Sequence, residues 1–270
     1  MLRKLADYHT HTARCGHAEG TLEAYIEAAL AAGIREYGFS CHIPMYWLPE
    51  EKRDPGIAMR MDELEVYVQD VLRMRDRYPE IPIRLGIEAD FIPGREEDLV
   101  KVLEPYPWDY VIGSVHFIGD WDFDNPASVN RYAEWDISEL YAKFFTLETM
   151  AARSGLFDIM AHIDLIKKFG HRPSHDLGRL YADVAQVMAG AGVAIELSTA
   201  GLRKPVREIY PNPQLLKECC DRNVPLVISS DAHKPAEVAW GFENALTLAR
   251  EAGYTSVARF EGRRRLMETL

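Results

Sequence analysis

Hydrophobic positions along the chain fall into two alternating patterns. Short, nearly unbroken apolar runs occupy Leu5 to Tyr8, Tyr37 to Ser40, Ile83 to Ile87, Tyr110 to Val115, Asp158 to Ala161, Val193 to Leu197 and Pro225 to Ser229. Runs of this length predict parallel strands buried on both faces. Between them the spacing changes to the helical period. Asp62 with Glu65 has the form of a capping box, and Leu64, Tyr67, Val68, Val71 and Leu72 follow at helical spacing. Asp136 with Glu139 repeats that signature ahead of a helix that Gly155 ends, and Thr21 opens a helix that runs to Ala32 and stops at Gly33. Further helices are predicted over Leu177 to Ala191, Gln214 to Arg222 and Ala236 to Ala252.

Seven strand-then-helix units predict an α/β fold of the closed-barrel kind, in which the C-terminal strand ends converge on one face. No internal repeat, low-complexity tract or Ser/Gly linker interrupts the alternation, so residues 1–270 are read as one domain. With 270 residues, 47% of them hydrophobic, the chain can bury a core of that size. It has no apolar run of about 18, and Met1-Leu2-Arg3-Lys4 leads into a strand rather than a signal-peptide core. A cytoplasmic protein without membrane contact is expected. Four cysteines, including the adjacent Cys219 and Cys220, form no disulfide framework and are read as reduced thiols. The net charge of -11 opposes binding of long nucleic acid, although held cations would make a working pocket less negative.

The candidate chemistry lies immediately after the strands. His9 and His11, His42, Glu88, His116, His162, then Asp231 and His233 each follow an apolar run, and His17 follows on the first loop beside Gly16. Any one of these histidines has a structural alternative. Together they point to one site, because unrelated structural histidines have no reason to choose the same end of every strand. Glu88 leaves a hydrophobic strand, an expensive place for a charge unless it is paired or coordinated, and its two oxygens can bridge two ions. Asp90 is read as a supporting or surface residue, and His171 and His175 as loop residues without a chemical role.

Nitrogen and oxygen ligands suit zinc, iron or manganese. Cys15 and Cys41 are read as small buried hydrophobes. Seven imidazoles with Glu88 and Asp231 exceed what one ion can use, which implies two or three divalent ions. Arg203, after the sixth strand and close to Gly201, offers a fork for phosphate oxygens. Lys167 and Lys168 either add positive charge to the site or form a solvated loop pair.

These motifs have a family likeness. The runs Asp7-Tyr8-His9-Thr10-His11, Cys15-Gly16-His17, Ser40-Cys41-His42-Ile43-Pro44, Gly86-Ile87-Glu88, Gly113-Ser114-Val115-His116, Ala161-His162-Ile163-Asp164 and Ser230-Asp231-Ala232-His233 resemble the polymerase-and-histidinol-phosphatase (PHP) superfamily, histidinol-phosphatase type. The resemblance spans residues 7 to 233. It implies a distorted seven-stranded TIM-like barrel and three metal sites: His9, His11, Glu88 and Asp231; Glu88, His116 and His162; His17, His42 and His233. It also ties Arg203 to phosphate recognition through the segment Glu196 to Pro205. One residue departs from the pattern, for Cys41 stands where the family usually has aspartate, altering what supports His42.

The resemblance further implies hydrolysis of L-histidinol phosphate, a step of histidine biosynthesis, by a metal-bound hydroxide, a small phosphate monoester being the partner. Ions about 3.5 to 4 Å apart suit that chemistry. No side-chain nucleophile is required, since phosphoryl transfer depends mainly on positioning and charge. The loop from Phe117 to Asp124 either stacks the substrate imidazole on Trp121 and attracts its ammonium group through Asp120 and Asp122, or is a plain acidic loop. Two rivals stay open: a nuclease or nucleotide phosphoesterase on the same cluster, and a non-catalytic metal-binding accessory module.

Overall fold

The computed structural model describes residues 5–270; the Met1 to Lys4 start lies outside the described residues. Seven strands run parallel: β1 (Ala6–Asp7), β2 (Glu36–Phe39), β3 (Ile83–Asp90) and β4 (Tyr110–Ser114), followed, after the short hairpin β5 (Phe117–Ile118) and β6 (Trp121–Asp122), by β7 (Ile159–Met160), β8 (Ala194–Ser198) and β9 (Leu226–Ser229). Their order is β1-β2-β3-β4-β7-β8-β9. Helices alternate with them: α1 (Leu22–Ala32), α2 (Leu64–Arg77), α3 (Glu96–Leu103), α4 (Ile137–Arg153), α5 (Gly178–Ala191), α6 (Pro213–Asp221) and α7 (Phe242–Ala252). A C-terminal hairpin of β10 (Ser256–Glu261) and β11 (Arg264–Thr269) completes the chain. Among the described residues no helix is long and apolar enough to cross a membrane.

The two edges of the sheet meet almost without a ladder, and a single parallel bridge between Thr10 and Ala232 closes the ring. Two backbone bonds make it, His11 N–H to Ala232 O at 2.9 Å and Ala232 N–H to His9 O at 3.1 Å. Asp7 reinforces the seam from below. Its carboxylate accepts from Ser230 N–H (3.0 Å), Ser230 Oγ–H (2.5 Å) and Ala239 N–H (2.9 Å). Burial pushes that carboxyl up to about 6 despite these donors.

The barrel interior is small and filled by side chains, with Tyr8, Tyr110, Ile112, Ile159 and Val227 packed above Ala258 and Phe260 of β10, which plug the bottom. Tyr110 lies across the axis and donates to Tyr8 O at 2.6 Å. Its ring occupies the space where a Cβ on Gly38 or Gly86 would stand, so these two strands have no side chain there. A second, larger apolar cluster lies between the strands and the helices, as a sheet covered on its outer face requires.

The expected helices form with small differences. Thr21 accepts from Ala24 N–H and Gly33 adopts φ 68, ending α1 as predicted, while Asp136 caps α4 through Ser138 N–H and Glu139 N–H. Asp62 is not a cap. The reciprocal bond runs from Arg60 N–H to Glu63 Oε2 at 3.0 Å, and Asp62 pairs with the Arg60 guanidinium instead. α7 starts at Phe242 rather than Ala236, because Pro235 to Glu237 form a separate short turn. Features without a counterpart in the sequence expectations include α3, too short for its period to register, the two hairpins and the 3-10 helix Pro126–Glu134.

If the Tyr110 ring is packed as described, Gly86→Ala forces a methyl into it and should lower unfolding stability by about 1–3 kcal/mol. Denaturant melts of the two proteins test this, and equal midpoints would contradict the interior packing.

Candidate metal centre and active-site cleft

At the C-terminal mouth, the strand ends bring all nine candidate ligands together. Glu88, only 2% exposed, is at the centre. Its Oε2 lies 3.2 Å from His9 Nε2, 3.6 Å from His11 Nε2 and 2.9 Å from His42 Nδ1. Its Oε1 lies 3.2 Å from His162 Nε2 and 3.6 Å from His116 Nε2, and accepts from Ser114 Oγ–H at 2.5 Å. Asp231 Oδ1 is 3.1 Å from His11 Nε2 and 3.4 Å from His233 Nδ1. His233 Nε2 in turn lies 3.0 Å from His17 Nε2. Two of these residues, His162 and Asp231, hold left-handed backbone (φ 28 and 49), a conformation that persists at non-glycine positions only where the surroundings enforce it.

Carboxylates on the outer side aim the rings. His9 Nδ1 lies 2.7 Å from Glu196 Oε1, whose other oxygen accepts the His162 N–H at 2.9 Å. Asp90 Oδ1 is 2.9 Å from His116 Nδ1. A proton on each Nδ1 leaves the Nε2 lone pair pointing inward, the arrangement that metal-binding histidines use. Glu196 was overlooked in the sequence, although it leaves an apolar strand just as Glu88 does. Cys41 supplies no such partner; its thiol accepts from Thr12 Oγ1 at 3.2 Å, deep in the core.

The electrostatics fit cations. Burial raises the Glu88 carboxyl, but His9, His42 and His116 outweigh it and hold the group well below the usual carboxylate range. Burial, aided by His42 and His17, drives His233 down to about 3 against the pull of Asp231, so its ring is neutral near pH 7. Within the cluster, His9 Nε2 and Glu88 Oε2 are buried 3.2 Å apart and lack hydrogen-bond partners. Lone pairs facing one another without donors are what divalent ions would satisfy. The ligand atoms group within 4.8 Å as His17, His42 and His233, as His9, His11 and Asp231, and as His9, Glu88 and His162.

Above the cluster opens a cleft of about 600 Å³. Arg203 lines it, anchored by Nη2–H bonds to Ser230 O (2.8 Å) and Asp231 O (2.9 Å), with its Nη1 left without a partner. Lys168 also lines it, its Nζ 2.7 Å from Asp124 Oδ2. Lys167 does not, and neither lysine is part of a solvated pair. Lys167 is 2% exposed and spends its charge on Asp164 at 2.8 Å and Ile209 O at 2.9 Å. Trp121 is likewise no stacking platform. Alternation along β6 turns its ring inward, 1% exposed, against Tyr132 and Trp135.

A seven-stranded barrel with this cluster at its mouth defines a class. The chain belongs to the PHP domain family, whose model matches residues 7–200. The curated relatives it matches are named histidinol-phosphatases or probable histidinol-phosphatases. It is 44% identical over 255 residues to the probable histidinol-phosphatase of Deinococcus radiodurans, covering 94% of this chain and 95% of that one. The histidinol-phosphatase of Bacillus subtilis is 29% identical over 264 residues, 88% of this chain and 96% of its own length. The crystal structure of histidinol phosphate phosphatase from Lactococcus lactis, complexed with zinc, L-histidinol and phosphate, superposes with a TM-score of 0.83 over 97% of this chain and 99% of that one, at 21% identity.

A buried Trp121 makes a separable prediction: Trp121→Phe should lower unfolding stability by about 1–3 kcal/mol and leave KM for a phosphate ester within about twofold. A large rise in KM with unchanged stability would put the ring back in the cleft.

Proposed function

We propose that the chain is a histidinol-phosphatase, hydrolysing L-histidinol phosphate to L-histidinol and phosphate in histidine biosynthesis. The observation that carries this reading is the cluster of seven imidazoles with Glu88 and Asp231 lying beside an arginine that keeps one donor unused, in a chain 44% identical to a probable histidinol-phosphatase along nearly its whole length. All 270 residues are read as one phosphoesterase domain.

The donor set fits two to three divalent ions, zinc, iron or manganese. His9, His11, Glu88 and Asp231 would hold one, Glu88, His116 and His162 a second, and His17, His42 and His233 a third. When bound, such ions activate water and neutralise charge on a phosphoryl group. The chain's own residues do the rest. Glu196 and Asp90 fix the rings that face inward, through the Nδ1 contacts at 2.7 and 2.9 Å. Arg203, held by two backbone carbonyls and paired through Nε with Glu237 at 3.5 Å, lines the cleft with one guanidinium nitrogen, Nη1, still unused and available to a phosphate oxygen. Lys204 lines the cleft as well and adds positive charge that attracts an anionic substrate.

Elemental analysis after reconstitution should give two to three ions per chain, and Glu88→Gln should lose at least two of them together, since its oxygens face ligands of different groups. Full occupancy with near-normal turnover in that variant would refute the bridging role. Assays of histidinol phosphate beside short DNA and other monoesters test the substrate.

Arg203→Ala should lower turnover on the order of a hundredfold at unchanged metal content, and Arg203→Lys should recover only part, as it keeps the charge and loses the fork. Wild-type turnover by the alanine variant would end the assignment.

A further inference from the structure

One wall of the cleft is the hairpin of β5 and β6, and its two faces differ. Phe117 and Asp122 are cross-strand partners, so their side chains project on the same side, and both line the cleft. The other pair, Ile118 and Trp121, points into the core. Trp47, also lining the cleft, meets Phe117 edge to face with 5.3 Å between ring centroids. An aromatic wall and a carboxylate therefore stand side by side.

Asp124 lines the same wall, and the two carboxylates share one cation between them. Lys168 Nζ is bound to Asp124 through Oδ2 at 2.7 Å and the backbone oxygen at 2.6 Å. Asp122 receives the neutral Asn125 amide, Nδ2 to Oδ2 at 3.0 Å, and shares a hydrogen bond with the Asp124 carboxyl, while among the described residues no ion pair reaches it. Burial and the neighbouring Asp124 push the Asp122 carboxyl up to about 7, the response of a carboxylate that lacks a counter-charge. Arg203, Lys204 and Lys234 also line this cleft. It therefore carries both signs, which suits a ligand with an anionic and a cationic end.

We infer that Asp122, with Asp124 behind it and the Phe117 and Trp47 rings beside it, is a specificity subsite for the ammonium group and flanking heteroaromatic ring of the phosphate ester. This rests on the histidinol phosphate reading and adds the residues that select the alcohol half. Asp122 binds the ammonium group directly, Lys168 keeps Asp124 from competing for it, and the rings cover the planar end of the substrate. An ester without the cation leaves the carboxylate desolvated and unpaired, so the site discriminates against it.

The test compares histidinol phosphate with n-propyl phosphate, which has neither cation nor ring, on metal-replete wild type, Asp122→Asn and Asp122→Glu. The ratio of kcat/KM for the two esters should fall roughly ten- to hundredfold in Asp122→Asn, mainly through KM for histidinol phosphate, with partial recovery in Asp122→Glu. A wild-type ratio in Asp122→Asn overturns the subsite, whatever the absolute rates. Calorimetric binding of L-histidinol gives a second measurement that needs no turnover. It should weaken by a similar factor in Asp122→Asn, and equal binding would also overturn the inference. Wild-type protein that cleaves propyl phosphate yet spares histidinol phosphate would instead refute the functional reading, and L-histidinol binding would then decide the subsite alone.

Discussion

A carboxylate in a dry barrel mouth needs charge brought to it, and at Glu88 five imidazoles do so, from His9, His11, His42, His116 and His162, at 2.9 to 3.6 Å. These rings come from four strand ends that are far apart in sequence, so their meeting depends on the ring of strands being closed. Closure in turn is thin, with no ladder between β1 and β9. It rests on the bridge at Thr10 and Ala232, made by the backbone of His9 and His11, and on the Asp7 carboxylate beneath. Fold and cluster thus share the same residues. A change that opens the seam moves His9, His11, Asp231 and His233 together, because each lies within two residues of it.

The same dependence explains why strain collects here. His162 and Asp231 are held at positive φ, and His162 N–H is fixed by Glu196, the carboxylate that also orients His9. Backbone strain of this kind costs on the order of 1–3 kcal/mol and survives only where several bonds enforce it. Glu196 holds the His9 ring and the His162 backbone from β8, and Asp90 serves the His116 ring. Among the described residues His42 has no outer carboxylate, and the thiol of the preceding Cys41 is turned against Thr12. Its ring is placed from within, by Glu88 itself.

Much of this was legible in the sequence because the physical signals were strong and local. Apolar runs marked all seven strands, and a polar ligand type soon after six of them marked the mouth. What was not legible depended on partners far away in sequence. Asp62 carried a capping signature, yet Arg60 and Glu63 won the local competition. Lys167 and Lys168 look alike on paper, but Asp164 takes the first into the core and Asp124 keeps the second at the cleft. Trp121 sits between two aspartates, which suggested exposure, whereas one step of strand alternation turned it inward and left Phe117 and Asp122 facing the cleft. Glu196 alone had a local signal that was passed over, a charge inside the apolar stretch Ala194 to Ser198.

The net charge of -11 gives the wrong impression of the site when taken as a sum. Glu88, Asp231, Glu196, Asp90 and Asp7 all spend their charge inward, on imidazoles or backbone N–H groups, where it serves cation binding and ring orientation. Side chains of both signs also line the cleft itself: Arg203, Lys204, Lys234 and Lys168 together with Asp122, Asp124 and Glu237, several of them paired with one another. A polyanion with uniform charge meets repulsion from the rest of the surface and from the carboxylate wall. On the proposed reading, a small ester bearing one phosphate and one ammonium group meets complementary charge at both ends, so it is the distribution of charge within the cleft, rather than its total, that suits a compact dipolar substrate.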